Sequence, residues 1–143
     1  MSTRTSASRR AFTGGIARLA VEELLRLRAK YDFFLLAFVF MPDHAHFVIV
    51  PARAFSISQT MRIVKGSIAR RINMVAGMRG PVWQTGFFDK VPSTLDELNS
   101  FIRYTHDNPA RAGLVENASD YAYSSADGCC SADYDAFLQS EHG

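Results

Sequence analysis

Residues 33–51 read FFLLAFVFMPDHAHFVIVP, and the fold turns on this stretch. Phe33 to Met41 is an uncharged apolar run of strand length, the pattern of a strand buried on both faces. Pro42-Asp43 breaks it, and a second short strand, Ala45 to Val50, stops at Pro51. Two such runs around a Pro-Asp turn predict a β-hairpin. Upstream, Ile16, Leu19, Ala20, Leu24 and Leu27 recur at helical spacing. Thr13 suits the N-cap of that helix, and Arg26, Arg28 and Lys30 suit its C-terminal end. Downstream, Ser56 to Ala76 predicts a second helix with Ile57, Met61, Val64, Ile68 and Ile72 as the buried stripe. Its other side carries Arg62, Lys65, Arg70 and Arg71.

Gly77 to Pro81 predicts a loop, and Val82 to Val91 has strand character around Phe87 and Phe88. A third helix is expected from Thr94 to Asn108. Ser93 or Thr94 caps it, Glu97 stands where a capping box needs it, and Pro109 ends it. Beyond Leu114 the chain reads as loop, apart from a small helix at Asp133 to Gln139. The order (strand)-helix-strand-strand-helix-strand-helix is that of an α+β fold: a ferredoxin-like split βαβ antiparallel sheet plus an additional C-terminal helix. Only Ser2 to Thr5 precedes a basic loop ending at Arg10, so the first strand is expected to be truncated. That order serves many activities, and fold alone assigns none.

The chain has 143 residues, which bounds it at one domain. Hydrophobic residues make up 48% and charged residues 21%, which excludes wholesale disorder. A net charge of +2 is mildly basic and does not by itself mark a nucleic-acid binder. Cys129 and Cys130 are adjacent, a poor geometry for a disulfide, so free thiols are expected. No apolar run reaches the roughly 18 residues of a membrane span, and Met1 to Arg10 lacks the apolar core of a secretory signal. The expected compartment is cytoplasmic.

Chemistry concentrates in two places. On a strand, residues two apart share a face, so His44 and His46 can reach one cation. The spacing suits Mg2+, Mn2+ or Zn2+, and equally two ordinary polar positions on a half-exposed strand. Asp43 is expected to act as a turn residue. On the third helix Tyr104 stands one turn before Asn108, so the two share a face. A tyrosine, with a usual pKa of about 10, is a poor nucleophile near neutral pH. A divalent cation beside a phosphate offsets this by polarising the phosphoryl oxygens. Arg62, Lys65, Arg70, Arg71 and Arg111 are candidate phosphate contacts or simply solvated charges. Trp83 and Phe87 suit core packing better than base stacking, and His106 points away from the Tyr104 face.

Three separated blocks carry a resemblance: MPDHAHFVIVP at Met41 to Pro51, VWQTGFFD at Val82 to Asp89, and YTHDNPARAGLV at Tyr104 to Val115. Asp120-Tyr121 and Ser124-Ser125-Ala126 follow. Together they resemble the single-tyrosine HUH transposases (insertion-sequence-200-like), closest to the REP-associated tyrosine transposases. The resemblance implies a metal-dependent enzyme in which His44, His46 and Asn108 hold Mg2+ or Mn2+. Tyr104 then attacks single-stranded DNA beside a hairpin, leaving a 5′-phosphotyrosine link and a 3′-OH whose return rejoins strands. It implies DNA transposition or REP-element mobility, with single-stranded hairpin DNA as partner and a monomer or homodimer as the working form. Residues 1–126 are the expected transposase domain and 127–143 a short C-terminal tail. The alternatives are a decayed or domesticated hairpin-binding module without cleavage, and a water-using metal hydrolase. The hydrolase would need a carboxylate base on the histidine face, where none is expected.

Overall fold

The hairpin forms as the two runs around Pro42-Asp43 predict: β2 (Phe34–Met41) and β3 (His44–Val50) pair antiparallel from Met41 opposite His44 to Phe34 opposite Val50. In the computed structural model the described residues are 2–7, 12–77 and 79–142, with backbone alone for 2, 141 and 142. The basic loop expected at Arg9-Arg10 lies outside them, as does Met78 of the loop expected after the second helix. Pro42 and Asp43 are the whole turn, and their carbonyls accept from the backbone N–H groups of Phe12 and Ala7.

The first strand, β1 (Ser2–Ser6), lies between β3 and β4 (Phe88–Lys90), giving the order β2-β3-β1-β4. This is the ferredoxin-like antiparallel order. The strand expected to be truncated pairs with β3 at five positions, Ser2 opposite Val48 to Ser6 opposite His44, and with β4 at three.

Two apolar layers follow from the pleat. Ala45, Phe47 and Ile49 face one side with Leu35, Phe38 and Phe40. There α1 (Gly14–Tyr31) buries Ala17, Ala20, Leu24 and Leu27, and α2 (Ile57–Ala76) buries Met61, Val64, Ile68 and Ile72. Ser56 caps α2 with a full capping box: its hydroxyl accepts from Gln59 N–H while the Gln59 side chain accepts from Ser56 N–H. A β-bulge between Leu35 and Ala37 turns Leu36 and Ala37 to the same side, where they join Val48 and Leu98. That second side is covered by α3 (Leu95–Arg111) and α4 (Ser131–His142).

The expectation that Pro109 ends the third helix is corrected: α3 continues to Arg111, with Pro109 buried inside it. A proline removes one N–H bond and crowds the preceding turn, a single loss that does not stop the helix when the bonds after it form. Here the N–H groups of Ala112, Gly113 and Leu114 close the end on the carbonyls of Asn108, Ala110 and Pro109. The fourth helix is also longer than the expected Asp133 to Gln139. Before it, the segment around Tyr121 to Ser125 lies along the outer edge of β2. Phe40 N–H donates to the Tyr123 carbonyl, Ser125 N–H to the Phe38 carbonyl, and Val39 bridges Ser124. This covers a strand edge that would otherwise present unpaired backbone groups.

One buried carboxylate ties α4 in place. Asp133, 5% exposed, pairs with Arg28 of α1 and accepts from the Leu35 N–H at 2.9 Å. The Arg28 guanidinium and the Leu35 N–H hold that carboxyl below the usual carboxylate range, against the opposing pull of burial. Asp133→Ala removes both bonds and leaves a buried N–H at the bulge, which is expected to cost about 2–3 kcal/mol in denaturant unfolding. Wild-type stability in that variant would contradict the account. Cys129 and Cys130 are free thiols. Among the described residues no helix is long and apolar enough to cross a membrane.

Candidate active site

The turn at Pro42-Asp43 sets His44 at the start of β3, and the period of two sets His46 on the same face, 5.4 Å away between ring centroids. That face is the one α3 covers, and Tyr104 comes down from α3 with its ring centroid 5.5 Å from that of His46. The Arg111 guanidinium lies 3.9 Å over the Tyr104 ring, and its Nη2 donates to the Tyr104 carbonyl at 3.2 Å. The Asn108 side-chain nitrogen donates to the same carbonyl at 3.1 Å, which commits the NH2 and leaves the amide oxygen as the atom able to meet a cation. Asn108 sits in the last turn of α3, as expected, although that helix runs past Pro109 to Arg111. Tyr104 itself is 49% exposed.

His46 is 7% exposed, and its Nδ1 is buried without a hydrogen-bond partner. Burial, then the positive charges of His44, Arg4 and Arg111, push its pKa down to about 4. The ring is neutral near pH 7, with a lone pair that a metal can use. His44 is oriented from outside: Asp43 Oδ1 lies 2.8 Å from its Nδ1. A carboxylate on the far nitrogen of a ligating imidazole fixes the tautomer and strengthens the ligand. Asp43 is thus a turn residue, as expected, and also contacts His44, which the sequence reading passed over. Among the described residues no three His, Cys, Asp or Glu side chains form a metal-binding group. The two imidazoles, and the Asn108 amide one helical turn beyond Tyr104, are donor types compatible with Mg2+ or Mn2+, for which oxygen ligands would complete the shell.

The low pKa of His46 has a consequence for stability. The unfolded imidazole takes up its proton near 6.5 and the folded one only near 4, so between these values the unfolded chain binds more protons. Stability from this residue is complete above pH 6.5 and is lost as pH falls toward 4, by up to about 3 kcal/mol. His106, also lowered by burial, acts in the same direction, so the comparison is between wild type and His46→Gln. Urea midpoints should fall more steeply for wild type over that range; parallel profiles would contradict the account.

The α2 cations are not brought to this site, because α2 covers the opposite face of the sheet. Lys65 Nζ donates to the carbonyls of Gln84 and Gly86, at 3.2 and 2.7 Å, and Arg71 pairs with Glu22 at 3.1 Å. Arg62 and Arg70 are exposed. Trp83 and Phe87 pack on the core, Trp83 donating from its indole N–H to the Lys65 carbonyl. His106 meets Ser125 Oγ at 2.8 Å, away from the histidine pair. Sequence reasoning missed Arg4, which the β1 register places directly opposite His46. The alternation Thr3-Arg4-Thr5 held the signal, since both threonines are buried and Arg4 faces the other way.

The family model described as "Transposase IS200 like" matches residues 3–108, a span containing both histidines, Tyr104 and Asn108. Among solved structures, a REP-associated tyrosine transposase bound to a REP hairpin is 19% identical with a TM-score of 0.68, over 87% of this chain and 74% of that one. A candidate transposase from Deinococcus radiodurans R1 is 18% identical with a TM-score of 0.56, over 73% and 88% respectively. At these identities the likenesses show a shared fold. No curated protein matches the chain.

Proposed function

Since the chain belongs to the IS200-like transposases, we propose that it cleaves and rejoins single-stranded DNA beside a hairpin, with Tyr104 as the nucleophile. The observation that carries this reading is the convergence of Tyr104, His44, His46 and Arg111 on one face of the sheet. These residues come from a hairpin and a helix more than fifty positions apart in sequence.

The proposed chemistry is a phosphoryl transfer with no cofactor consumed. The Tyr104 phenolic oxygen bonds to phosphorus and releases its proton to solvent. The bond from phosphorus to the 3′ oxygen breaks, and that oxygen leaves as a 3′-OH after taking a proton from water. Mg2+ or Mn2+ held by His44, His46 and Asn108 would polarise the phosphate and stabilise its extra charge. Arg111 holds the Tyr104 ring from above and offers a guanidinium to the same phosphate. Asp43 keeps His44 in its ligating tautomer. Returning the 3′-OH to the phosphotyrosine reverses each step and joins strands. Exposed Arg62 and Arg70 on the opposite face are assigned to the DNA backbone outside the cut; Lys65 and Arg71 have protein partners already.

The test uses the hairpin from the DNA flanking the protein's own gene, Mn2+, and label on either end. A label at the 3′ end should move onto the protein in a denaturing gel, while a 5′ label should leave on a shortened strand. Binding without transfer of either label would refute cleavage and leave a binding module. Asp43→Asn is expected to raise the Mn2+ concentration for half-maximal cleavage by about 10–100-fold, as loss of an outer-sphere carboxylate does. An unchanged Mn2+ requirement would remove Asp43 from the account.

A further inference from the structure

Phe88 has no partner in the chemistry above, yet its position is unusual. It is 80% exposed, while its neighbour Phe87 packs into the core. The sheet register places Phe88 opposite Arg4 and Arg4 opposite His46, so the three form one row across β4, β1 and β3 on a single face. Two strand spacings separate the Phe88 and His46 backbones, about 10 Å. Lys90, two residues along β4 on the same face, lies with Nζ 5.6 Å over the Phe101 ring of α3. A bare phenyl ring therefore has one cation beside it on the row that leads to His46, and a second cation two residues along its own strand.

We propose that Phe88 is a stacking platform for an unpaired base near the cleaved phosphate, with Arg4 and Lys90 contacting the phosphates on either side. This rests on the reading of the Tyr104 site as one that cleaves single strands. A ring flanked by cations matches the alternation of bases and phosphates in a single strand, and stacking accepts any base because every base has a π face. An apolar partner or a second copy of the chain would gain nothing from Arg4 and Lys90, whose charges it would have to desolvate.

The probes are an unstructured oligothymidylate and an abasic oligomer of the same length. Phe88→Ala should weaken the oligothymidylate about tenfold and leave the abasic oligomer unchanged. Phe88→Trp should restore the affinity. Thermal unfolding should show both variants folded, since the side chain is almost wholly outside the core. Equal affinity of Phe88→Ala for oligothymidylate, or equal losses on both oligomers, would overturn the proposal. So would a wild-type dimer that Phe88→Ala converts to a monomer with DNA affinity unchanged. The readout is independent of cleavage. No adduct from wild type, with the stacking loss intact, would fail the cleavage reading alone. Adduct formation with no stacking loss would fail the platform alone.

Discussion

Tyr104→Phe is expected to fold and bind single-stranded DNA as wild type does while forming no covalent adduct, a loss of at least about a thousandfold in cleavage. The substitution keeps the ring, and with it the edge contact to His46 at 5.5 Å and the Arg111 guanidinium at 3.9 Å. Only the attacking oxygen goes. No other tyrosine is placed to replace it. Tyr121 donates its hydroxyl to the Phe40 carbonyl at 2.7 Å, and burial raises its pKa to about 12. Tyr123 packs against the core, Tyr134 donates to Asn99 Oδ1 at 2.7 Å, and Tyr31 packs on the other face of the sheet with its ring edge-on to Phe55. A water-using hydrolase would keep its activity in Tyr104→Phe, and quantified strand scission in Mn2+ separates the two.

Substituting the histidines should be almost as severe. His44→Ala and His46→Ala are each expected to lower Mn2+-dependent cleavage by more than about a hundredfold, beyond the 10–100-fold range typical of an outer-sphere residue. Affinity for single-stranded DNA should hold, since the arginine and lysine charges that bind phosphate are untouched. The two variants differ in stability. His44 is partly exposed, so its loss should alter the unfolding midpoint little. His46 is buried, and its removal leaves a void beneath Tyr104, although the orphaned Nδ1 disappears with it. Isothermal titration with Mn2+ and DNA separately reads both effects; loss of DNA affinity with unchanged Mn2+ binding would contradict the assigned roles.

Much of the fold was legible because the periods are clean. The apolar run through β2 and the α2 stripe from Met61 to Ile72 match the burial found, and Ala20, Leu24 and Leu27 of the α1 stripe do so as well. What misled was local chemistry read without its surroundings. Pro109 looked like a stop, but it removes a single N–H bond, and its ring is buried inside a helix that continues to Arg111. Ser2 to Ser6 looked too short to be central, yet pairing on both sides depends on register, which a five-residue segment does not reveal alone. In the candidate site, the period of two brings His44 and His46 together, and the helical turn relates Tyr104 to Asn108. The approach of α3 to β3 was not derivable from local pattern; the resemblance supplied it. Arg4, the bond from Asp43 to His44, and the ion pairs of Lys65 and Arg71 are long-range or side-chain-specific facts with no sequence period.

The most direct measurement is the identity of the residue that carries the DNA. After reaction with Mn2+ and the hairpin strand, nuclease trimming would leave a nucleotide remnant on the protein, and trypsin would then release peptides for mass spectrometry. Cleavage after Arg103 and Arg111 isolates Tyr104 in YTHDNPAR. Tyr121, Tyr123 and Tyr134 all fall in the following segment, which has no Lys or Arg. The account predicts the remnant on YTHDNPAR, joined through a 5′ phosphate. A remnant on the following segment or on the peptide that begins at Tyr31, or cleaved DNA with no remnant on any peptide, would contradict it.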